Sequence, residues 1–387
     1  MKHSISLPEP STDALQHSQK LIECICTEIK KKGSISFRRY MEMALYEPAL
    51  GYYVSGTHKI GEQGDFITAP EVSPLFSQCI AHQCIEVLQN TKGDILELGA
   101  GTGIMATDIL LSLESEKHLP KHYYILDLSP DLQQRQKETL KTRAPHLLKL
   151  VKWVTQLPND FIGIILGNEV LDAMPVEIFT QQNDHVFKHH VIWKGGKLCE
   201  QLQSANEEFT QKVLALNIPH DATPYTSEIN PNLSGWFQSL NDCLQEGVIL
   251  LADYGYPRKE YYFEGRNRGT LICHYQHLVN EAPLHLTGLQ DITASVDFTE
   301  VAETADNAGF SVSGFTSQST FLTNSGLERL FVKALETNPD DQYKLAQQVR
   351  TLSLPAEMGE RFKFIALSKN YSNPLRGFSA LDQRVRL

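Results

Sequence analysis

The chain has no block of like charges, although 46 acidic residues against 35 basic ones give it a net charge of −11. That shortage of positive charge argues against a broad phosphate-binding surface, and so against a DNA or RNA substrate. It is compatible with a basic partner such as an arginine-bearing protein. No stretch is long and apolar enough to span a bilayer, which excludes membrane insertion by a helix. The N-terminus carries acidic residues and little arginine, and it lacks an apolar core of signal-peptide length. A cytoplasmic location is therefore expected. Cysteines are few and scattered: the seven include Cys24-x-Cys26 and Cys79-x4-Cys84, neither of which matches paired zinc-ligand spacing. They read as small buried hydrophobes in a reducing compartment. His274 and His277 have no further ligands at metal spacing, so no metal is expected. Internal repeats and low-complexity tracts are absent as well.

What is present centres on Asp94–Gly103. Ile95, Leu96 and Leu98 make a short buried strand, which Gly99, Gly101 and Gly103 break before apolar positions resume at helical spacing from Ile104. Strand, glycine turn and helix open a doubly wound nucleotide-binding unit, with its ligand beyond the strand's carboxyl end. The dinucleotide fingerprint does not fit, because its third glycine would fall at Ile104. Glu97, just before the first glycine, points to a cationic group on the ligand. S-adenosylmethionine has an ammonium, a ribose and an adenine, and no pyrophosphate to place on a helix N-terminus. The Glu-x-Gly-x-Gly-x-Gly form at Glu97, Gly99, Gly101 and Gly103, with Thr102 inside it, is the signature of a class I methyltransferase.

The remaining elements agree with an α/β, Rossmann-like sheet. Helical spacing covers residues 13–32 and 37–45, and a third helix follows Ser73-Pro74. Tyr123–Leu126 is a second strand ending at Asp127, which either meets the ribose hydroxyls or caps the helix that follows. A third strand carries Trp153, near the adenine face or simply buried. Phe161–Leu166 is the fourth strand, residues 176–203 read as a hairpin, and Val248–Ala252 is the fifth strand. A short strand is expected at Gly269–Leu271, a helix capped by Thr299, a sixth strand within Phe310–Leu322 and a seventh at Phe362–Leu367. The expected organisation is an N-terminal arm and helical cap (1–92), a core with a flap (93–175 and 245–387) and an inserted hairpin and helical subdomain (176–244).

The loop after the fourth strand, Gly167-Asn168-Glu169-Val170-Leu171-Asp172, lies beside the transferable methyl group in such sheets. It holds two carboxylates, Glu169 and Asp172, in place of the Asn/Asp-Pro-Pro-Tyr of enzymes that methylate adenine, cytosine or glutamine nitrogens. A guanidinium is always charged near neutrality and offers a planar fork of donors that carboxylates accept bidentately. Paired acids can orient it, concentrate its charge on one nitrogen and accept the departing proton. Asn168 is a positioning group through its amide. The alternative roles are a helix cap for Asp172 and a structural ion pair for Glu169.

With these residues in order, the chain resembles the MidA-like family of methyltransferases. That family includes the mitochondrial arginine methyltransferase that assists assembly of respiratory complex I, and bacterial relatives. The resemblance rests on Tyr46-Glu-Pro with Gly51-Tyr52-Tyr53, Gly64-Asp65-Phe66-x-Thr68-Ala69-Pro70-Glu71, the glycine motif, and Asn168-Glu169-x-x-Asp172-Ala173-x-Pro175. It continues through Asp253-Tyr254-Gly255, Gly269-Thr270-Leu271 and Gln290-Asp291-Ile292-Thr293-x-x-Val296-Asp297-Phe298. It implies S-adenosylmethionine as donor, S-adenosylhomocysteine as product and a protein arginine as acceptor. It also implies that Gly64, Asp65, Phe66 and Thr68 belong to a loop closing over the cofactor. Asp127 stands where the family often has Glu. The missing Arg-rich leader favours a bacterial source, and a homodimer is compatible with the reading. Two alternatives are a small-molecule methyltransferase and an assembly factor that needs little catalysis.

Overall fold

Apolar runs bounded by glycine or acid residues build a seven-stranded sheet. In the computed structural model, which describes residues 7–55, 67–218 and 224–387, the strands are β1 (Asp94–Leu98), β2 (Tyr123–Leu126), β3 (Val151–Val154), β4 (Phe161–Asn168), β5 (Leu244–Tyr256), β6 (Ser311–Ser317) and β7 (Phe362–Lys369). Their order is β6-β7-β5-β4-β1-β2-β3, and the two-residue strand Val296–Asp297 adds to the end of β5. The strands from β5 to β3 are parallel, while β7 runs antiparallel between β5 and β6. The order reverses between β1 and β4, so their carboxyl ends open at a topological switch point.

This is the Rossmann-like sheet that the glycine motif implies. Strands buried on both faces read as nearly continuous apolar runs. Ile95, Ile164, Leu166, Val248 and Leu250 accordingly enter one core with Leu75 and Ile80 of helix Pro74–Thr91. Each such side chain contributes roughly 1.5–3 kcal/mol when fully buried.

The chain forms two compact units. The sheet unit comprises Ile67–Leu171, Leu233–Pro257 and Val296–Leu387; the other comprises Met1–Phe66, Asp172–Asn232 and Arg258–Ser295. In the second unit, helices Thr12–Lys32 and Phe37–Tyr46 bury Leu21, Ile25, Phe37 and Tyr40 with Val176, Ile178 and Val191. Ser11 and Ser36 cap these helices by accepting from Ala14 N and Arg39 N. An antiparallel sheet of Ile35–Ser36, His185–Lys194, Glu177–Gln182, Tyr225–Ile229 and Lys197–Ser204 provides the opposing surface.

Several boundaries differ from expectation for physical reasons. Helix Pro74–Thr91 joins the sheet unit because Leu75, Phe76 and Ile80 are buried in its core. The expected cap, insertion and flap contribute segments to one unit; the expected hairpin closes at Gly195-Gly196 between His185–Lys194 and Lys197–Ser204, and a further strand, Glu177–Gln182, pairs with His185–Lys194. Gly269–Leu271 is not a strand: the Thr270 and Leu271 N–H groups donate to the Glu228 carboxylate, and the ladder starts at Ile272. Asp297, not Thr299, caps helix Phe298–Asn307, accepting from Thr299 N and Glu300 N. β6 stops at Ser317, whose hydroxyl starts helix Gln318–Asn324.

Candidate functional site

β1 places Glu97 inside the sheet unit, where it is 1% exposed. Tyr123 OH donates to its Oε2 at 2.7 Å, and no described residue donates to Oε1. Burial pushes the Glu97 carboxyl up to about 7; the Tyr123 bond opposes the shift and the Asp127 charge adds to it. A buried carboxylate with so little internal support suits a ligand that brings its own positive charge.

The turn after β1 takes a backbone path that side chains resist. Gly99, Gly101 and Gly103 have φ of 65°, 51° and 81°, in the left-handed region where a Cβ is strained. Gly99 N donates to Leu126 O at 2.9 Å, tying the turn to the end of β2. Thr102 is held from both sides. Its hydroxyl donates to Glu71 Oε1 at 2.6 Å and its carbonyl accepts from Thr139 Oγ1 at 2.7 Å. Thr68 precedes the short helix Ala69–Val72 with extended backbone, and its carbonyl accepts from Glu71 N at 2.9 Å. Gly64, Asp65 and Phe66 lie outside the described residues.

Asp127 follows β2 and is buried. Its Oδ1 accepts from Ser129 N at 2.9 Å and its Oδ2 from Gln136 Nε2 at 2.7 Å. Burial raises its pKa, and these two donors lower it. It does not cap the next helix: Ser129 does, accepting from Leu132 N at 3.3 Å at the start of Pro130–Arg143. Each carboxylate oxygen has two acceptor sites, so a pair of neighbouring hydroxyls can still be met.

β4 delivers Asn168 and Glu169. Glu169 has φ of 54°, a conformation that costs a non-glycine residue about 1–3 kcal/mol and persists where its surroundings enforce it. Glu169 N donates to Ala252 O at 2.9 Å, and Asn168 Nδ2 donates to Glu169 Oε1 at 3.0 Å. Asn168 Oδ1 is buried with no partner among the described residues. Leu171 N donates to Asp253 Oδ2 at 2.9 Å, so the loop is anchored on β5. Asp172 opens a segment of the other unit, where its carbonyl accepts from Ala294 N at 3.0 Å. Beside it Tyr46 OH donates to Ala173 O at 2.9 Å, and Tyr53 OH donates to Asp291 Oδ1 at 2.7 Å.

Glu97, the glycine turn, Asp127, Asn168 and Glu169 thus gather at the carboxyl ends of β1, β2 and β4 within one unit. Tyr123, Glu71 and Gln136 support them; of these only Glu71 stands out in the sequence, as the last residue of the Gly64–Glu71 motif. Among the described residues, no three His, Cys, Asp or Glu side chains are placed to hold a metal. No helix of the described residues is long and apolar enough to cross a membrane.

Residues 79–316 match the family described as "Putative S-adenosyl-L-methionine-dependent methyltransferase". The chain is similar to the mitochondrial protein arginine methyltransferase NDUFAF7 of Bos taurus, with 29% identity over 88% of this chain and 81% of that protein. It is also similar to that of Danio rerio, with 26% identity over 95% of this chain and 94% of the other. A solved structure from Burkholderia thailandensis, described as a "likely methyl transferase" bound to S-adenosyl-homocysteine, shares 37% identity. It aligns over 99% of this chain and 100% of its own length, with a TM-score of 0.95.

Proposed function

This chain belongs to the MidA-like family of S-adenosyl-L-methionine-dependent methyltransferases, and from that premise we propose that it methylates an arginine side chain of a protein. The observation that carries the proposal is the carboxylate held at the end of β4. Glu169 sits in a left-handed backbone conformation, pinned through its N–H to β5 and through Oε1 to the Asn168 amide.

The residues of the sheet unit fit the cofactor. Glu97 is a buried carboxylate with a single internal donor, suited to an ammonium, and Asp127 retains acceptor capacity for ribose hydroxyls. Gly99 and Gly101 keep the turn free of side chains, Gly103 starts helix Ile104–Ser115, and Thr102 is braced on Glu71. S-adenosylmethionine, when bound, supplies a methyl group on a sulfonium, and the reaction leaves S-adenosylhomocysteine. Glu169 orients a guanidinium and draws its positive charge toward one nitrogen, leaving the other to attack. Asn168 keeps Glu169 in place and offers its buried Oδ1 to a donor. Asp172, three residues on, is the second carboxylate and the proton acceptor on sequence spacing alone. The relatives named as arginine methyltransferases support the acceptor class, and the family resemblance suggests a subunit of a respiratory complex.

The test is transfer of labelled methyl groups by purified protein to a cell extract, followed by hydrolysis and identification of the methylated residue. Label in methylarginine, lost in Glu169→Gln while S-adenosylhomocysteine affinity stays within about twofold, is the expected result. Label found only among small molecules would replace the acceptor class. Binding without any transfer would favour an assembly role.

A further inference from the structure

The hydrogen bonds of Gln136 reach beyond Asp127. Gln136, on helix Pro130–Arg143, is completely buried. Its Nε2 donates to Asp127 Oδ2 at 2.7 Å and to Gly101 O at 3.1 Å, and its Oε1 accepts from Trp153 Nε1 at 2.9 Å. These partners follow β2, lie in the turn after β1 and belong to β3, so one amide joins the ends of three adjacent strands. The orientation of the amide is not arbitrary. An indole N–H can only donate, which requires Oε1 to face Trp153, while a carboxylate and a carbonyl can only accept, which requires the NH₂ to face Asp127 and Gly101.

Gly103 makes this contact reachable. A Cβ built at Gly103 would lie 2.8 Å from Gln136 Cα and 3.1 Å from its Cβ, closer than real side chains approach. With hydrogen there, the helix comes near enough for the Gln136 amide to reach back to Gly101. Thr139, one turn on, donates to the adjacent carbonyl of Thr102 from the same helix. The third glycine of the motif therefore serves helix packing in this chain.

We propose that Gln136 is the positioning residue of the cofactor pocket, fixing Asp127, the glycine turn and Trp153 relative to one another; the proposal rests on reading Asp127 and the turn as the cofactor site. A carboxylate that must meet two hydroxyls at fixed distances gains from a support that removes its rotational freedom. Burial raises the Asp127 pKa, and the Gln136 donor, after that of Ser129 N, opposes the shift.

The test is calorimetric titration of S-adenosylhomocysteine into the full-length protein and into Gln136→Glu, Gln136→Leu, Asp127→Asn and the Gln136→Leu/Asp127→Asn double variant. Thermal unfolding of each accompanies the titrations. Gln136→Glu keeps volume and the acceptor toward Trp153 but loses both donors, so it separates positioning from simple packing. Each Gln136 variant is expected to bind about 10- to 100-fold more weakly while folded, as outer-support losses do. In the double variant the further loss beyond Asp127→Asn should be smaller than the loss that Gln136→Leu causes alone, because part of the Gln136 effect passes through Asp127 and part through the turn and Trp153. Unchanged affinity in folded Gln136→Glu, or losses that simply multiply in the double variant, would overturn the proposal while leaving the cofactor site intact. A parent protein that binds no S-adenosylhomocysteine would remove the site and the proposal together.

Discussion

Glu97 in the sheet unit and Glu228 in the other unit are buried to within 2% of completely, yet their surroundings treat them in opposite ways. Glu228 accepts from Thr270 N, Thr270 Oγ1, Leu271 N and Tyr261 OH at 3.0–3.2 Å. Glu97 accepts from Tyr123 OH alone among the described residues. Burial raises both pKa values, and the donors around Glu228 work against it. A buried carboxylate supplied from several sides is a clamp that belongs to the fold. One supplied from a single side is incomplete until a ligand arrives, because unmet acceptors in a low-dielectric interior are costly.

The comparison breaks most visibly at Glu228. Glu228→Ala leaves the Thr270 and Leu271 N–H groups and the Tyr261 hydroxyl without their acceptor, at about 1–3 kcal/mol for each buried group. A loss of several kcal/mol is expected in denaturant unfolding, with S-adenosylhomocysteine affinity per folded molecule unchanged. Glu97→Gln is expected to do the reverse. Removing the charge opposite a bound cation costs about 2–5 kcal/mol of binding, so affinity should fall by about 30-fold to several thousand-fold. The ligand-free fold should be as stable as the parent or more so, since a neutral amide is easier to bury. Calorimetry and unfolding on both variants give four numbers. A stability loss at Glu97 matching that at Glu228, with binding intact, would make Glu97 a second clamp.

The distinction between these two glutamates marks where the sequence stops being readable. The strand and turn from Asp94 to Gly103 were legible because apolar run, glycine spacing and resumed helical period are all local. So was the strand Phe161–Asn168 that positions Glu169, short of its last two residues. The sequence marks Tyr123 as a strand residue and nothing more. That its hydroxyl meets Glu97 depends on β1 and β2 pairing with Ile95 beside Tyr123, a register that no single sequence states. Gln136 was hidden for a related reason: its role requires the helix to pass within reach of Gly103, a packing fact. The division into two units was hidden too, since each is assembled from three separated stretches of chain. Glu228 and Thr270 are 42 residues apart, and only their hydrogen bonds explain why the Gly269–Leu271 motif is a turn and not a strand.

The smallest expected effect separates the two glutamates by pH. Glu97 titrates at about 7 in the ligand-free protein, above the ordinary 4.5. A raised folded-state pKa means that its favourable contribution to stability is complete below the unfolded value and is lost as pH rises through 7. Binding has the opposite slope. A cationic ligand selects the ionised carboxylate, so affinity for S-adenosylhomocysteine should rise from about pH 6 through 7 and level off near pH 8. About one-tenth of Glu97 is ionised at pH 6, so affinity there should be roughly tenfold below that at pH 8. Binding at pH 6 should also release close to one proton, read from calorimetry in buffers of different ionisation enthalpy. Asp127 is raised as well, so the decisive control is Glu97→Gln, which leaves Asp127 in place and should flatten the profile. Glu228 is raised too, but it lies in the other unit's clamp and should tilt stability alone. A binding slope that survives in Glu97→Gln would transfer the titration to Asp127 and make Glu97 a residue of the fold.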